Sequence, residues 1–290
     1  MPATNQIDRL VTAIDMHATP ACVGIDPVFT KIPDSLRGGD EIGAIESFSL
    51  EVLDAINGTV PAIKPQSACF ERYGSAGYAI LEKVIARGRD LGFVVILDAK
   101  RGDIGSSAQH YAIGAADMGA HFITVSPYMG PSTIEPFLNA GLGVFALART
   151  SNPDSDEVQL NELADGQHVV HAISSMIAKI GSTQNGVSGL SALGAVVGAT
   201  KAADEMGSLR DLMPNQMFLV PGVGAQGGTV DDVRPMCRPE AASAGQLGVI
   251  VNASRSVLYS DGTEGDWQLG VANAARSFAD ALRALYTEHD

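Results

Sequence analysis

The sequence predicts an α/β fold of the (β/α)8 TIM-barrel class, built as one domain over residues 1–290. Three observations carry this prediction. Eight short apolar runs recur along the 290 residues, helical patterns separate them, and polar residues gather just past the ends of the runs.

The runs cover residues 21–26, 60–64, 93–98, 122–126, 144–149, 195–199, 217–221 and 247–252. Each is apolar at nearly every position, as expected of a strand buried on both faces. Helical spacing follows in 77–91, where Ile80, Leu81, Val84 and Ile85 fall on one face. It recurs in 106–118, with Ala108, Tyr111, Ala112 and Ala115, and in 267–286, with Leu269, Val271, Ala274, Phe278, Leu282 and Leu285. Strands alternating with helices in a chain slightly above 250 residues fit the barrel. An open doubly wound sheet is the alternative. It would favour a G-x-G-x-x-G turn after the first strand, where Gly24-Ile25-Asp26-Pro27 stands instead. Residues 28–43 and 152–190 exceed a minimal barrel and read as surface elaborations of the same domain.

Composition narrows the function. Hydrophobic residues make up 46% of the chain, enough for a large core, and the net charge is −14. Nucleic acid and anionic membrane surfaces call for a basic face, so neither is an expected partner. A small anion remains possible, because a few Arg, Lys and backbone N–H groups can build a local positive site. Cys22, Cys69 and Cys237 are widely spaced and form no C-x-x-C pair. They read as buried free thiols in a reducing cytoplasm. No signal peptide and no membrane span are expected. The histidines form no H-x-H or H-E-x-x-H pattern, so no metal site is expected.

The polar residues past the strand ends are Asp26, Lys64, Asp98 with Lys100, Ser126, Arg149 with Ser151, Gln226 and Arg255. In a barrel all would converge on the C-terminal mouth, where active sites lie. The richest stretch is Asp98-Ala99-Lys100-Arg101-Gly102-Asp103. Side chains two apart on a strand share a face, so Asp98 and Lys100 point together and Ala99 points outward. Flanking carboxylates keep Lys100 an ammonium. That makes it a poor Schiff-base nucleophile and a good proton donor. A lone D-x-K pair reads equally well as a charge cap on a strand end. Asp98, Lys100 and Asp103 within six residues, with Lys64 on the neighbouring strand, favour a site. The acidic cluster Asp154, Asp156 and Glu157 reads as a solvated loop.

The run Leu97-Asp98-Ala99-Lys100-Arg101-Gly102-Asp103-Ile104-Gly105 resembles the D-x-K-R-x-D-I-G signature of the orotidine 5′-phosphate decarboxylase family, in its longer subfamily. Ile63-Lys64-Pro65-Gln66 resembles the K-P-Q motif of that subfamily. Ser126–Gly130, Thr150–Pro153, Pro221–Gln226 and Asn252–Ser256 fit it in the expected order.

The resemblance implies decarboxylation of orotidine 5′-monophosphate to uridine 5′-monophosphate, the last step of de novo UMP synthesis, with no metal and no cofactor. Lys100 would be the general acid and Asp98 would sit beside the substrate carboxylate. Lys64 would tie Asp98 to the ribose, and Asp26, otherwise a turn residue before Pro27, would bind a ribose hydroxyl. Ser151 would bond the pyrimidine ring. The glycine-rich loop with Gln226, and Arg255 after the last strand, would hold the phosphate. Asp103, Ile104 and Ser107 would enter the site of a partner subunit, so the resemblance implies a homodimer with shared sites. Two positions depart from the family pattern: Ser107 stands where Thr is common, and Asp154 where Gly is usual. The alternatives are a Mg-dependent sugar-phosphate decarboxylase or aldolase on the same barrel, a Schiff-base aldolase using Lys100, and a catalytically silent nucleotide-binding barrel.

Overall fold

The computed structural model describes residues 5–224, 227–260 and 266–287. Helix α1 (Gln6–His17) precedes strand β1 (Ala21–Ile25), and α2 (Glu41–Ala55) follows it. Strand β2 (Ala62–Pro65) leads into the short α3 (Ser67–Glu71) and the long α4 (Gly74–Asp90). Next come β3 (Val94–Arg101), α5 (Gly105–Asp117), β4 (Phe122–Val125) and α6 (Glu135–Asn139). Strand β5 (Gly143–Arg149) precedes α7 (Asp156–Gln159) and α8 (Val169–Gly181). The chain continues through β6 (Ser191–Val197), α9 (Ala203–Leu212), β7 (Gln216–Pro221) and β8 (Val249–Ala253). It ends with α10 (Arg255–Leu258) and α11 (Trp267–Thr287).

The eight strands pair in parallel, in sequence order, and β8 closes on β1 through Cys22↔Asn252. The predicted barrel is thus the observed fold. Two apolar layers account for it. Val23, Ile63, Val95, Ile123 and Val251 face outward and pack under the helices. Cys22, Ala62, Ile96, Phe122, Phe145, Met217 and Ile250 face inward, and Ile7, Leu10, Val11 and Ile14 of α1 join them as a plug. Both faces of each strand are therefore apolar, which is why the runs lack polar alternation.

Some boundaries differ from the sequence expectation. β6 begins at Ser191, because Ser191 is buried with its hydroxyl donating to Gly181 O at 2.9 Å. Gly194 is required there: a Cβ would lie 2.3 Å from Met217 O and 2.9 Å from the Phe145 ring. A 3-10 helix, Asp231–Met236, stands after β7 where a barrel helix would be expected. The stretch 28–43 forms two 3-10 turns and the start of α2, capped by Asp40, whose carboxylate accepts from Gly43 N at 2.7 Å. Within 152–190, α8 is a layer helix that buries Val170, Ser174, Ile177 and Gly181. Among the described residues no helix is long and apolar enough to cross a membrane.

Candidate active site

The C-terminal mouth opens on a cavity of about 720 Å³, within the range of small-molecule sites. The side chains that line its floor come from all eight strands or the residue just beyond. Asn252, Asp26, Lys64, Asp98 and Thr124, from β8 through β4, give a polar half. Leu147, Val196 and Leu219, from β5 to β7, give an apolar half.

Asp98 is the hub of the polar half. Its Oδ2 accepts from Lys64 Nζ at 2.8 Å and Gln66 Nε2 at 3.1 Å. Its Oδ1 accepts from Lys100 Nζ at 2.6 Å and Thr124 Oγ1 at 2.8 Å. The local sequence explains the aim. In the ladder Leu97 pairs with Ile123 and Arg101 with Val125, so Asp98, Ala99 and Lys100 bulge opposite Thr124 alone. A bulge re-aims side chains without breaking the sheet. Asp98 and Lys100 turn into the mouth, while Ala99 packs against the helix layer. The bulge carries strain: Lys100 has φ +44°, in the left-handed region. Such a conformation costs a non-glycine residue about 1–3 kcal/mol.

Charges in this array fix one another. Burial opposes ionisation of Asp98, but Lys64 and Lys100 outweigh it and hold the carboxyl well below its usual range. Burial likewise opposes the Lys64 ammonium, and the carboxylates of Asp98 and Asp26 outweigh it, so its pKa lies above the ordinary value. Both groups stay charged at neutral pH.

The remaining predicted residues divide three ways. Asp26, Ser151 and Arg255 line the same cavity as Lys64, Asp98 and Lys100. Asp26 lines the cavity, and among the described residues its buried Oδ1 has no hydrogen-bond partner. Its loop is tied to the end of α10 by the Tyr259 hydroxyl, which donates to Asp26 O at 3.0 Å and accepts from Val28 N at 2.7 Å. Asp103, Ile104 and Ser107 do not line the cavity. Asp103 is half-buried and accepts from Ile104 N at 2.8 Å, while Ile104 and Ser107 are exposed. Gln226 lies outside the described residues.

Three expectations need correction. Arg149 does not reach the mouth. The β5–β6 register shifts between Leu147 and Arg149, and the guanidinium is buried against Glu205 (2.6 Å), Ser155 (3.0 Å), Gln159 (3.2 Å) and Asp156 (2.7 Å). Asp156 is correspondingly more than a solvated loop residue. Hydrogen bonds from Lys201 and Arg149 hold its pKa down to about 2. Asp154, by contrast, stays within its loop and accepts from Asn152 Nδ2 at 2.6 Å. Of the three free cysteines, Cys22 and Cys237 are buried, but Cys69 is half-buried and lines the cavity. Burial pushes its thiol up to about 11.

Thr124, Asn252 and the hydrogen-bonding role of Gln66 were not expected from the sequence as site features. A signal existed for two of them. Thr124 lies two residues before Ser126, and Gln66 two after Lys64, on faces already assigned to the mouth. Asn252 was visible only as the start of a motif. The residue lines the cavity, and its buried Oδ1 has no hydrogen-bond partner among the described residues.

Comparison with known proteins decides the lineage. The profile described as "Orotidine 5'-phosphate decarboxylase / HUMPS family" matches residues 8–268. The chain belongs to this family. It is 39% identical to the orotidine 5′-phosphate decarboxylase of Roseiflexus castenholzii, over 97% of this chain and 98% of that one. It is 40% identical to the enzyme of that name from Variovorax paradoxus, over 96% and 98% of the two chains. Among solved structures it resembles Leishmania donovani OMP decarboxylase, with a TM-score of 0.78 and 27% identity over 97% and 98% of the chains. Membership in the orotidine 5′-phosphate decarboxylase / HUMPS family covers nearly all the elements that build the mouth.

Proposed function

We infer that this chain converts orotidine 5′-monophosphate to uridine 5′-monophosphate and CO2, the closing reaction of de novo UMP synthesis. The observation that carries the reading is the Lys64–Asp98–Lys100 array on the polar side of one cavity, in a chain of this family.

The chemistry follows from charge. Loss of CO2 breaks the bond to pyrimidine C6 and leaves an electron pair with no adjacent π system to spread it. Lys100, as an ammonium, is the general acid that delivers a proton to C6, and solvent restores that proton. Its positive charge stabilises the developing carbanion before transfer. Asp98 faces the departing carboxylate. Four donors hold it ionised and in place, so it cannot relax away from the substrate. Lys64 and Asp26 take the ribose hydroxyls, Ser151 the ring, and Arg255 with the loop after β7 the phosphate. Binding energy from that distant phosphate can be spent on the transition state. The apolar half, Leu147, Val196 and Leu219, lowers local polarity around the base and strengthens these electrostatic contacts. No metal or cofactor enters the scheme: all four acceptor positions on Asp98 are filled by N–H and O–H donors.

The same reading makes the protein a cytoplasmic homodimer with shared sites. Asp103, Ile104 and Ser107 sit on the surface beyond β3. Exposed apolar groups occur in the same part of the chain: Ile104 itself, Tyr111 on α5, and Tyr128 and Met129 after the adjacent strand β4. Such surface favours a protein partner, and a two-fold dimer would bring the triad to the partner's mouth.

The test is turnover of orotidine 5′-monophosphate by the purified chain, read as loss of orotate absorbance. Steady conversion to uridine 5′-monophosphate is expected. No turnover at high enzyme concentration overturns the reading.

A further inference from the structure

The bulge in β3 leaves a backbone problem that one side chain solves. Three residues, Asp98 to Lys100, stand opposite the single residue Thr124, so the ladder cannot satisfy all their polar groups. Thr124 is almost fully buried, and its hydroxyl accepts from the Lys100 N–H at 2.9 Å. A backbone N–H can only donate, so the polarity of that contact is fixed. The one hydroxyl proton is left for Asp98 Oδ1, at 2.8 Å. That oxygen is the one that accepts from Lys100 Nζ at 2.6 Å. Thr124 therefore holds Lys100 at two points: directly at the backbone, and through Asp98 at the ammonium. The residue it holds is also the one whose backbone sits at φ +44°.

We propose that Thr124 is a positioning residue for the decarboxylation. Its hydroxyl replaces a missing ladder bond, stabilises the left-handed backbone of Lys100 and sets the Lys100 ammonium against Asp98. The inference rests on the decarboxylase reading above. It adds a residue that touches neither the substrate's phosphate nor its ribose, and that acts only through Asp98 and Lys100. Valine has nearly the shape of threonine and lacks both hydrogen bonds. Serine keeps the hydroxyl and loses a methyl group. The pair therefore separates hydrogen bonding from packing.

The experiment compares the wild-type chain with Thr124→Val and Thr124→Ser for kcat, KM and affinity for uridine 5′-monophosphate. Thr124→Val is expected to lower kcat about 30-fold, roughly 2 kcal/mol at 1.36 kcal/mol per tenfold. KM and product affinity should stay within about threefold, because the groups that bind ribose and phosphate are untouched. Thr124→Ser should stay within about threefold of wild-type kcat. A valine variant with wild-type kcat overturns the proposal. So does an equal loss of kcat in the valine and serine variants, which would make the methyl group the active part. If the valine variant fails to fold, Thr124→Ala is read by the same criteria. A wild-type chain without turnover overturns the decarboxylase reading and this inference together, whereas an active wild type with an indifferent Thr124→Val overturns this inference alone.

Discussion

Lys64 and Lys100 grip opposite oxygens of one carboxylate: Lys64 Nζ lies 2.8 Å from Asp98 Oδ2, and Lys100 Nζ 2.6 Å from Asp98 Oδ1. The two contacts differ in surroundings. The Lys64 side chain is 6% exposed and that of Lys100 is 47% exposed. The buried pair maintains the array, and the open pair presents a proton to the cavity.

Breaking the buried pair should destabilise the fold. Lys64→Met leaves Asp98 with one ammonium and two neutral donors in a nearly closed site. Removing one partner of a buried ion pair costs about 3–5 kcal/mol. Lys100 still compensates Asp98 here, so a loss near 3 kcal/mol is expected, read from the denaturant midpoint at unchanged m-value. A loss below about 0.5 kcal/mol, the scale of an ordinary surface substitution, would contradict the burial argument.

The same pair sets a pH dependence. The folded pKa of Asp98 is depressed below its unfolded value of about 3.9. Its stabilisation is therefore fully present above that value and is lost as pH falls toward the depressed folded pKa. For Lys64 the folded pKa is raised. Its contribution is complete below the unfolded value of about 10.4 and is lost only as pH rises through the raised folded one. The stability difference between wild type and Asp98→Asn should be flat from about pH 5 to 9 and shrink below about pH 4. A difference that shrinks instead between pH 5 and 7 would place the titration elsewhere.

Metal removal should leave turnover unchanged. The electrophilic groups of the scheme are ammonium ions, and Asp98 has no free acceptor position for a cation. Activity abolished by a chelator and restored by Mg2+ would move the chain to the metal-dependent alternative on this barrel.

Sharing of sites across a dimer has a quantitative signature. Asp98→Asn and Asp103→Ala should each be nearly inactive alone. Mixed with subunit exchange, half the dimers are hybrid and each hybrid keeps one intact site. About a quarter of wild-type activity should then return. No recovery despite exchange, measured by mass, would contradict the shared-site reading.

Much of the barrel was legible because its cause is local. Residues buried on both faces make strands such as 94–97 continuously apolar, and helix spacing returns in the layer helix α4. The start of β6 was less legible, since Ser191 and Gly194 look like loop residues until Gly181 and Phe145 are packed against them. At the site, Asp98, Lys100 and Lys64 stood out because strand parity already points them to the mouth, although the β3 bulge that sets the final aim of Asp98 and Lys100 left no local sign. Arg149 misled for the complementary reason: parity points it at the mouth, but the register shift after Leu147 and the partners Glu205 and Asp156, from elsewhere in the chain, take it away. Thr124 is put on the mouth face by strand parity with Ser126, and parity says no more. Its role depends on a bulge in the adjacent strand, which no property of 122–125 announces.

In this scheme Lys100 supplies the proton. Lys100→Ala, assayed for turnover of orotidine 5′-monophosphate and for binding of uridine 5′-monophosphate, tests it most directly. Loss of a positioned general acid that also stabilises charge should lower kcat at least about 10³-fold, while product affinity stays within about tenfold because Asp26, Ser151 and Arg255 remain. A Lys100→Ala variant with wild-type kcat would contradict the account.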